Sequence, residues 1–308
     1  MPERIARVVA VAVAALGAVL LIGAGFTPQV TPDADAYWHA AQRLREGLPL
    51  YAVASGDETQ IYRYAPWFAY AWVPLTYLSQ ANAYLVWRGV LLLGALVAVR
   101  PMLRRKTPAS ITLALLMGSL LISNLPAANV TTLMIGALVV SLPTRAGPIV
   151  VGLAGSLKVF PLLLVAGYVA ERRWRDAAVA IGVAGALWLH VLAFGLSSYP
   201  TSVNGGSFYV GGTSLYSLAA PLWLVAGVVL IAGIVVLAVR RSPWTWLVSG
   251  AAIPTVVPRV WLPDAAYLLP AAERLLAGLE RRMGSVNLPV AAGPRARATG
   301  DNGPGVVP

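Results

Sequence analysis

Two aspartates open a polar stretch, PDADAYWHAAQRLREGLPLY (residues 32–51), that follows directly on a long apolar run. Asp33 and Asp35 are of a type that does general-base work, taking the proton from a hydroxyl as its oxygen attacks. Far downstream, Lys158 stands alone within the apolar segment AGPIVVGLAGSLKVFPLLLVAGYVA (146–170). A lysine in such surroundings costs roughly 2.5–3.5 kcal/mol on insertion scales, and it usually faces a cavity or a partner. A phosphate would balance it, and Arg63 and Arg259 are cations that can share that role. Each residue also has a plainer reading. The two acids favour the positive end of a helix dipole, and the lysine reaches a membrane surface with its long stem. No phosphate-cradling glycine loop, His-Glu metal motif or nucleophile elbow is present.

These residues are carried by a very apolar chain. Of its 308 residues, 58% are hydrophobic and only 11% charged, with a mean hydropathy of +0.72. A soluble domain carries roughly twice that share of charge. Apolar runs of membrane-crossing length recur, so the expected fold class is all-α, a polytopic integral membrane protein with about 8–10 membrane segments. The net charge of +11 suggests nucleic acid at first sight. Most basic residues, however, cluster at the ends of apolar runs, where they set topology, and no nucleic-acid partner is expected. Cysteine is absent and the two histidines lie far apart, so neither a disulfide framework nor a zinc site is expected.

Residues 5–26 are too long for a signal-peptide core and read as a first span, with Arg4 and Arg7 on the cytoplasmic side. The loop 27–65 then lies outside. Basic clusters at Arg100–Lys106, Arg145, Arg172–Arg175, Arg240–Arg241 and Arg281–Arg282 mark cytoplasmic turns. Between them, 109–125, 177–195 and 243–258 run outward, and 129–142, 215–239 and 260–279 run inward. Two segments resist simple crossing. The run 146–170 has basic flanks at both ends, which predicts a hairpin broken at LKVFP with Lys158 at its outer tip. The run 66–79 is short and contains Pro74, which predicts a partial or re-entrant element. Irregular backbone at membrane depth survives where it is packed in protein or lines a wet cavity. The domain reading is a membrane domain over 1–283 and a disordered cytoplasmic tail over 284–308.

The polar stretch itself has a helix start at Thr31-Pro32-Asp33 and a stop at Gly47. Tyr37, Ala41, Leu44 and Leu48 fall on one face, which predicts an amphipathic helix on the outer membrane surface. The uncharged loop LSSYPTSVNGGSFYVGGTSL (196–215) offers amide, hydroxyl and aromatic groups of the kind that bind carbohydrate, although a plain connector has the same composition. Candidate sugar contacts are Tyr37, Tyr64, Asn204 and Tyr209.

Several blocks together resemble glycosyltransferase family 87, the bacterial membrane mannosyltransferases of the GT-C superfamily. They are DADAYWHAAQRLREGLPLY, YRYAPWFAYAWVPLTYLS, NVTTLMIGAL and AGPIVVGLAGSLKVFPLLLVAGYVAERRWR, with SLYSLAAPL (214–222) as a weaker one. The similarity runs over roughly residues 5–270. The resemblance implies a GT-C-like bundle that transfers mannose from a polyprenyl-phosphate-mannose donor to a lipid-linked or cell-wall glycan. The transfer would take place on the extracytoplasmic side of the cell membrane, with inversion and with neither metal nor cofactor. The family's catalytic acid, four positions before a tyrosine, falls on Asp33, with Asp35 in reserve. A late block that carries paired histidines in many members stands here as VPRVWLPDAAY (257–267), without them. The donor phosphate then falls to Lys158, Arg63 or Arg259. From other classes, a transporter or flippase of a lipid-linked substrate has similar broken helices and intramembrane charge, and an inactive relative would serve as an assembly partner.

Overall fold

In the computed structural model the chain is described over residues 31–51, 62–194, 215–257 and 261–286, with a few helical positions between 19 and 26. Among these residues every regular element is helical. The predicted helix start and stop both hold. Helix α1 (Pro32–Arg45) begins with proline at its first position and ends where Gly47 takes the left-handed conformation (φ 71°). There Leu48 N–H donates to Arg43 O and Gly47 N–H to Leu44 O, which satisfies the last carbonyls. The proposed surface helix, by contrast, is a core element. Ala34, Tyr37, Ala40 and Ala41 are fully buried against α2 (Pro66–Trp72) and the 3-10 turn Val73–Tyr77 that follows it. Leu48, assigned to the same apolar face, is 51% exposed because Gly47 has already turned the chain away.

The segment 66–79 is a short α-helix running into a 3-10 turn at Pro74, as its proline predicts. Helix α3 (Gln80–Arg105), the longest among the described residues, packs on α4 (Pro108–Ile122) and α5 (Thr131–Ser141). Contact with α5 is close because Gly94 faces Gly136; a Cβ on Gly136 would stand 2.4 Å from the Gly94 carbonyl. Small residues at such a crossing let two backbones approach.

The run 146–170 folds back on itself. Helix α6 (Gly147–Leu157) ends at extended Lys158, a 3-10 turn (Phe160–Leu164) follows, and α7 (Val165–Ala170) returns. A Cβ on Gly147 would strike the Tyr168 hydroxyl and one on Gly155 the Leu162 side chain, so the start of α6 lies beside the end of α7. This is the antiparallel hairpin that its two basic flanks require. Reporters fused after Arg145 and after Arg175 should therefore indicate the same side of the membrane, and opposite signals would rule out the hairpin.

Beyond it lie α8 (Trp174–Leu189), the turn Leu215–Leu218, α9 (Ala220–Val239), α10 (Thr245–Val256) and α11 (Leu268–Val286). Among the described residues, three helical stretches are long and apolar enough to cross a membrane: Gln80–Arg105, Trp174–Phe194 and Ala220–Val239. Helix α9 is apolar on all sides, and of its residues Ile234 is buried while Leu224, Val228, Val229 and Val235 are more than half exposed. The expected spans at 109–125, 129–142 and 243–258 correspond to the shorter helices α4, α5 and α10, below the ~20 residues a single crossing needs. Prolines and polar turns stop these helices early. Helix α11 continues through Gly284 to Val286, past the expected start of the tail.

Candidate functional site

The helices run between two ends of the bundle. At one end sit the starts of α1 and α5 and the ends of α4, α6 and α10. These enclose a cavity of about 680 Å³ lined by Asp33, Arg63, Tyr64, Asn129, Thr131, Lys158 and Asp264, among others. At the other end sit the basic clusters, tied together where Arg105 at the end of α3 pairs with Glu273 and Glu280 of α11.

Tyr37 sets the position of Asp33. The two residues are one turn apart on α1 and share a face. The Tyr37 ring makes edge contacts with Tyr64, Phe68 and Trp72 at centroid distances of 5.1, 4.9 and 5.3 Å. Its hydroxyl accepts the Val130 N–H at 3.3 Å, which ties α1 to the start of α5. Asp33, half-buried in the first turn, then opens onto the cavity. Burial pushes the Tyr64 hydroxyl well above its ordinary pKa, and the negative charge of Asp33 adds to the shift. Tyr37 is raised by burial first, then by Tyr64 and Asp33. Both phenols stay protonated beside the carboxylate.

From Tyr64 a line of hydrogen bonds crosses the cavity wall. Asn129 Nδ2 donates to the Tyr64 hydroxyl at 3.2 Å, and Asn129 Oδ1 accepts from the Thr131 N–H (2.9 Å) and hydroxyl (2.7 Å). Lys158 Nζ donates to Thr131 Oγ1 at 2.7 Å and lies 3.4 Å from Asp264 Oδ1. Asp264 Oδ2 accepts the Trp261 N–H at 3.1 Å, so this carboxylate is fixed from both sides. An ammonium has three donors. Two are directed to Thr131 and Asp264, and among the described residues the third has no acceptor while Lys158 lines the cavity.

The expected site residues divide clearly. Asp33, Arg63, Tyr64 and Lys158 line the same cavity, although Asp33 and Lys158 belong to distant segments. Asp35 lies outside it. Its Oδ1 accepts the Tyr84 hydroxyl at 2.5 Å and Gln80 Nε2 at 2.7 Å, and His39 Nδ1 approaches to 3.5 Å. Two residues farther along a helix turn the side chain about 200° from Asp33, toward α3. Tyr37 is fully buried, so it supports the site from behind and has no surface for a sugar. Asn204, Tyr209 and Arg259 lie outside the described residues.

Lys158 was expected to find its counter-charge in a phosphate; the protein itself supplies Asp264. That residue went unrecognised in the sequence, as did Asn129 and Thr131. One signal pointed to Asp264: it is the one charged residue in the apolar stretch 260–272, and a buried acid needs a partner. Compared with known proteins, the chain matches no family model, no curated protein and no solved structure.

Proposed function

We propose that the chain is a membrane-embedded glycosyltransferase that moves a sugar, mannose on the family resemblance, from a polyprenyl-phosphate donor to a lipid-linked or cell-wall glycan. The observation that carries this reading is the convergence of a carboxylate, Asp33, with two cations, Arg63 and Lys158, in one cavity. That cavity lies at the bundle end opposite the arginine clusters, the end that the positive-inside rule assigns to the extracytoplasmic face. The apolar exterior of α9 supports a lipid surrounding, because side chains half open on every side of a helix are stable in acyl chains and not in water. The architecture we favour is a polytopic GT-C-like bundle in the cell membrane.

In this reading the donor tail stays in lipid while its phosphate meets Lys158 and Arg63. The acceptor hydroxyl attacks the anomeric carbon, Asp33 takes its proton, and the bond from that carbon to the phosphate oxygen breaks. The polyprenyl phosphate leaves with one more negative charge on its oxygens, which the fixed cations stabilise. Attack from the face opposite the leaving group inverts the sugar.

The test is to incubate membranes containing the protein with radiolabelled polyprenyl-phosphate-mannose. Label should pass into lipid-extractable or wall glycans with the wild type and not with Asp33→Asn. The Lys158–Asp264 pair beside a broken hairpin favours one other reading, transport of a lipid-linked substrate. Donor that changes leaflet without loss of its sugar would select that reading instead.

A further inference from the structure

A second pocket, of about 510 Å³, lies at the arginine end of the bundle, between the end of α7, the turn from α9 to α10, and α11. Its charged lining is Glu171, Arg172, Arg241 and Arg274. Glu171 is committed within the protein. Its Oε2 accepts Arg274 Nη2 at 2.5 Å and Arg173 Nη1 at 3.4 Å, and its Oε1 accepts Trp246 Nε1 at 2.9 Å. Arg274 is only 6% exposed and lies over the Trp246 ring at 5.4 Å, while its Nε has no hydrogen-bond partner among the described residues. Arg172 and Arg241 are exposed, and neither forms an ion pair among the described residues. The pocket therefore holds an excess of positive charge together with a buried, unsatisfied guanidinium donor.

The backbone reinforces this. Arg172 and Arg241 each stand two residues past a helix end, in the left-handed conformation, at φ 59° and 55°. Glycine is favoured there, because a Cβ is strained at positive φ. Two arginines at such positions, arriving from different helices, face one pocket. Helix α9 supplies the depth: its wholly apolar length ends at Val239, and Arg241 stands two residues on. Where α9 crosses a bilayer, the pocket lies at headgroup level.

We propose that this pocket binds the phosphate of an anionic membrane lipid headgroup, with Arg172 and Arg241 as its outer clamp and Arg274 at its back. The inference rests on the membrane placement of α9 and not on the transfer chemistry at the other end. The shared chemistry is a phosphate anion, which a lipid or free phosphate can supply.

The full chain is purified and placed in nanodiscs of phosphatidylcholine alone, with added phosphatidylglycerol, or with inorganic phosphate in the buffer. Lipid retention is read by native mass spectrometry and stability by thermal unfolding. Phosphatidylglycerol should be retained and should raise the unfolding midpoint. The double variant Arg172→Gln/Arg241→Gln should lose about tenfold or more in apparent affinity for it. The control Arg145→Gln/Arg175→Gln removes equal charge away from the pocket and should keep that affinity. Equal losses in the two double variants would reduce the effect to general surface charge and overturn the site. Full protection by inorganic phosphate, with nothing added by phosphatidylglycerol, would overturn the lipid assignment. A chain that cannot be inserted into nanodiscs but pellets as aggregate would instead overturn the membrane placement.

Discussion

Replacing Asp33 by asparagine should lower sugar transfer by about 10²–10⁴-fold, the range that general-base assistance supplies, while the protein still inserts and folds. The amide has nearly the same shape, and Asp33 sits half-exposed at a helix start, so its charge adds well under ~1 kcal/mol to stability. Asp35→Asn should behave in the opposite way. Asp35 holds Tyr84 and Gln80 of α3 and has no place in the cavity. Its amide oxygen can still accept, so the loss should be about 1 kcal/mol of stability with turnover retained. The measurement is initial rate per folded protein alongside a thermal midpoint for both variants. Full turnover in Asp33→Asn together with loss in Asp35→Asn would assign the base to the wrong acid.

Lys158→Met should act twice. In the proposed function it removes the cation that would meet the donor phosphate, so the apparent KM for donor should rise. It also leaves the buried Asp264 without its counter-charge. That should cost about 2 kcal/mol, less than for a fully buried pair because the lysine side chain is 23% exposed. A lone lysine in an apolar run would make the empty protein easier to insert once removed; with Asp264 beside it the sign reverses. Pairing Lys158→Met with Asp264→Asn should recover most of the stability and none of the donor affinity. Lys158→Arg keeps the charge but brings a planar fork in place of a compact ammonium, and it should restore stability more than KM. Donor titrations and unfolding curves across these four proteins separate the two roles. If none of them changes donor dependence, Lys158 is a structural partner of Asp264 and nothing more.

Local chemistry was legible wherever a residue acts through its own neighbours in the chain. Pro32 and Gly47 bound α1 because a fixed φ suits a first turn and a left-handed residue ends a helix. Pro74 and Pro161 interrupt their apolar runs for want of an N–H. The arginines flanking 146–170 predicted a hairpin, and the Gly147–Tyr168 approach bears it out. Asp33 and Lys158 stood out for reasons visible in one dimension, an acid in a first turn and a lysine in apolar surroundings.

Helix length and side-chain partnership were decided elsewhere. The period that places Tyr37 on the apolar face of α1 says nothing about what covers that face. The cover is α2 and the start of α5, and it turns a candidate sugar contact into core. Asp33 and Asp35 are equivalent by composition and spacing from a helix start. The packing of α3 against α1 is what claims one of them for Tyr84 and Gln80 and leaves the other to the cavity. The deepest case is Lys158 and Asp264, 106 positions apart. The sequence determined that each needs an opposite charge, because desolvating an ion is costly wherever it occurs. Only the tertiary structure decided that they answer each other, because the end of α6 and the entry to α11 bring the two to one wall of the same cavity.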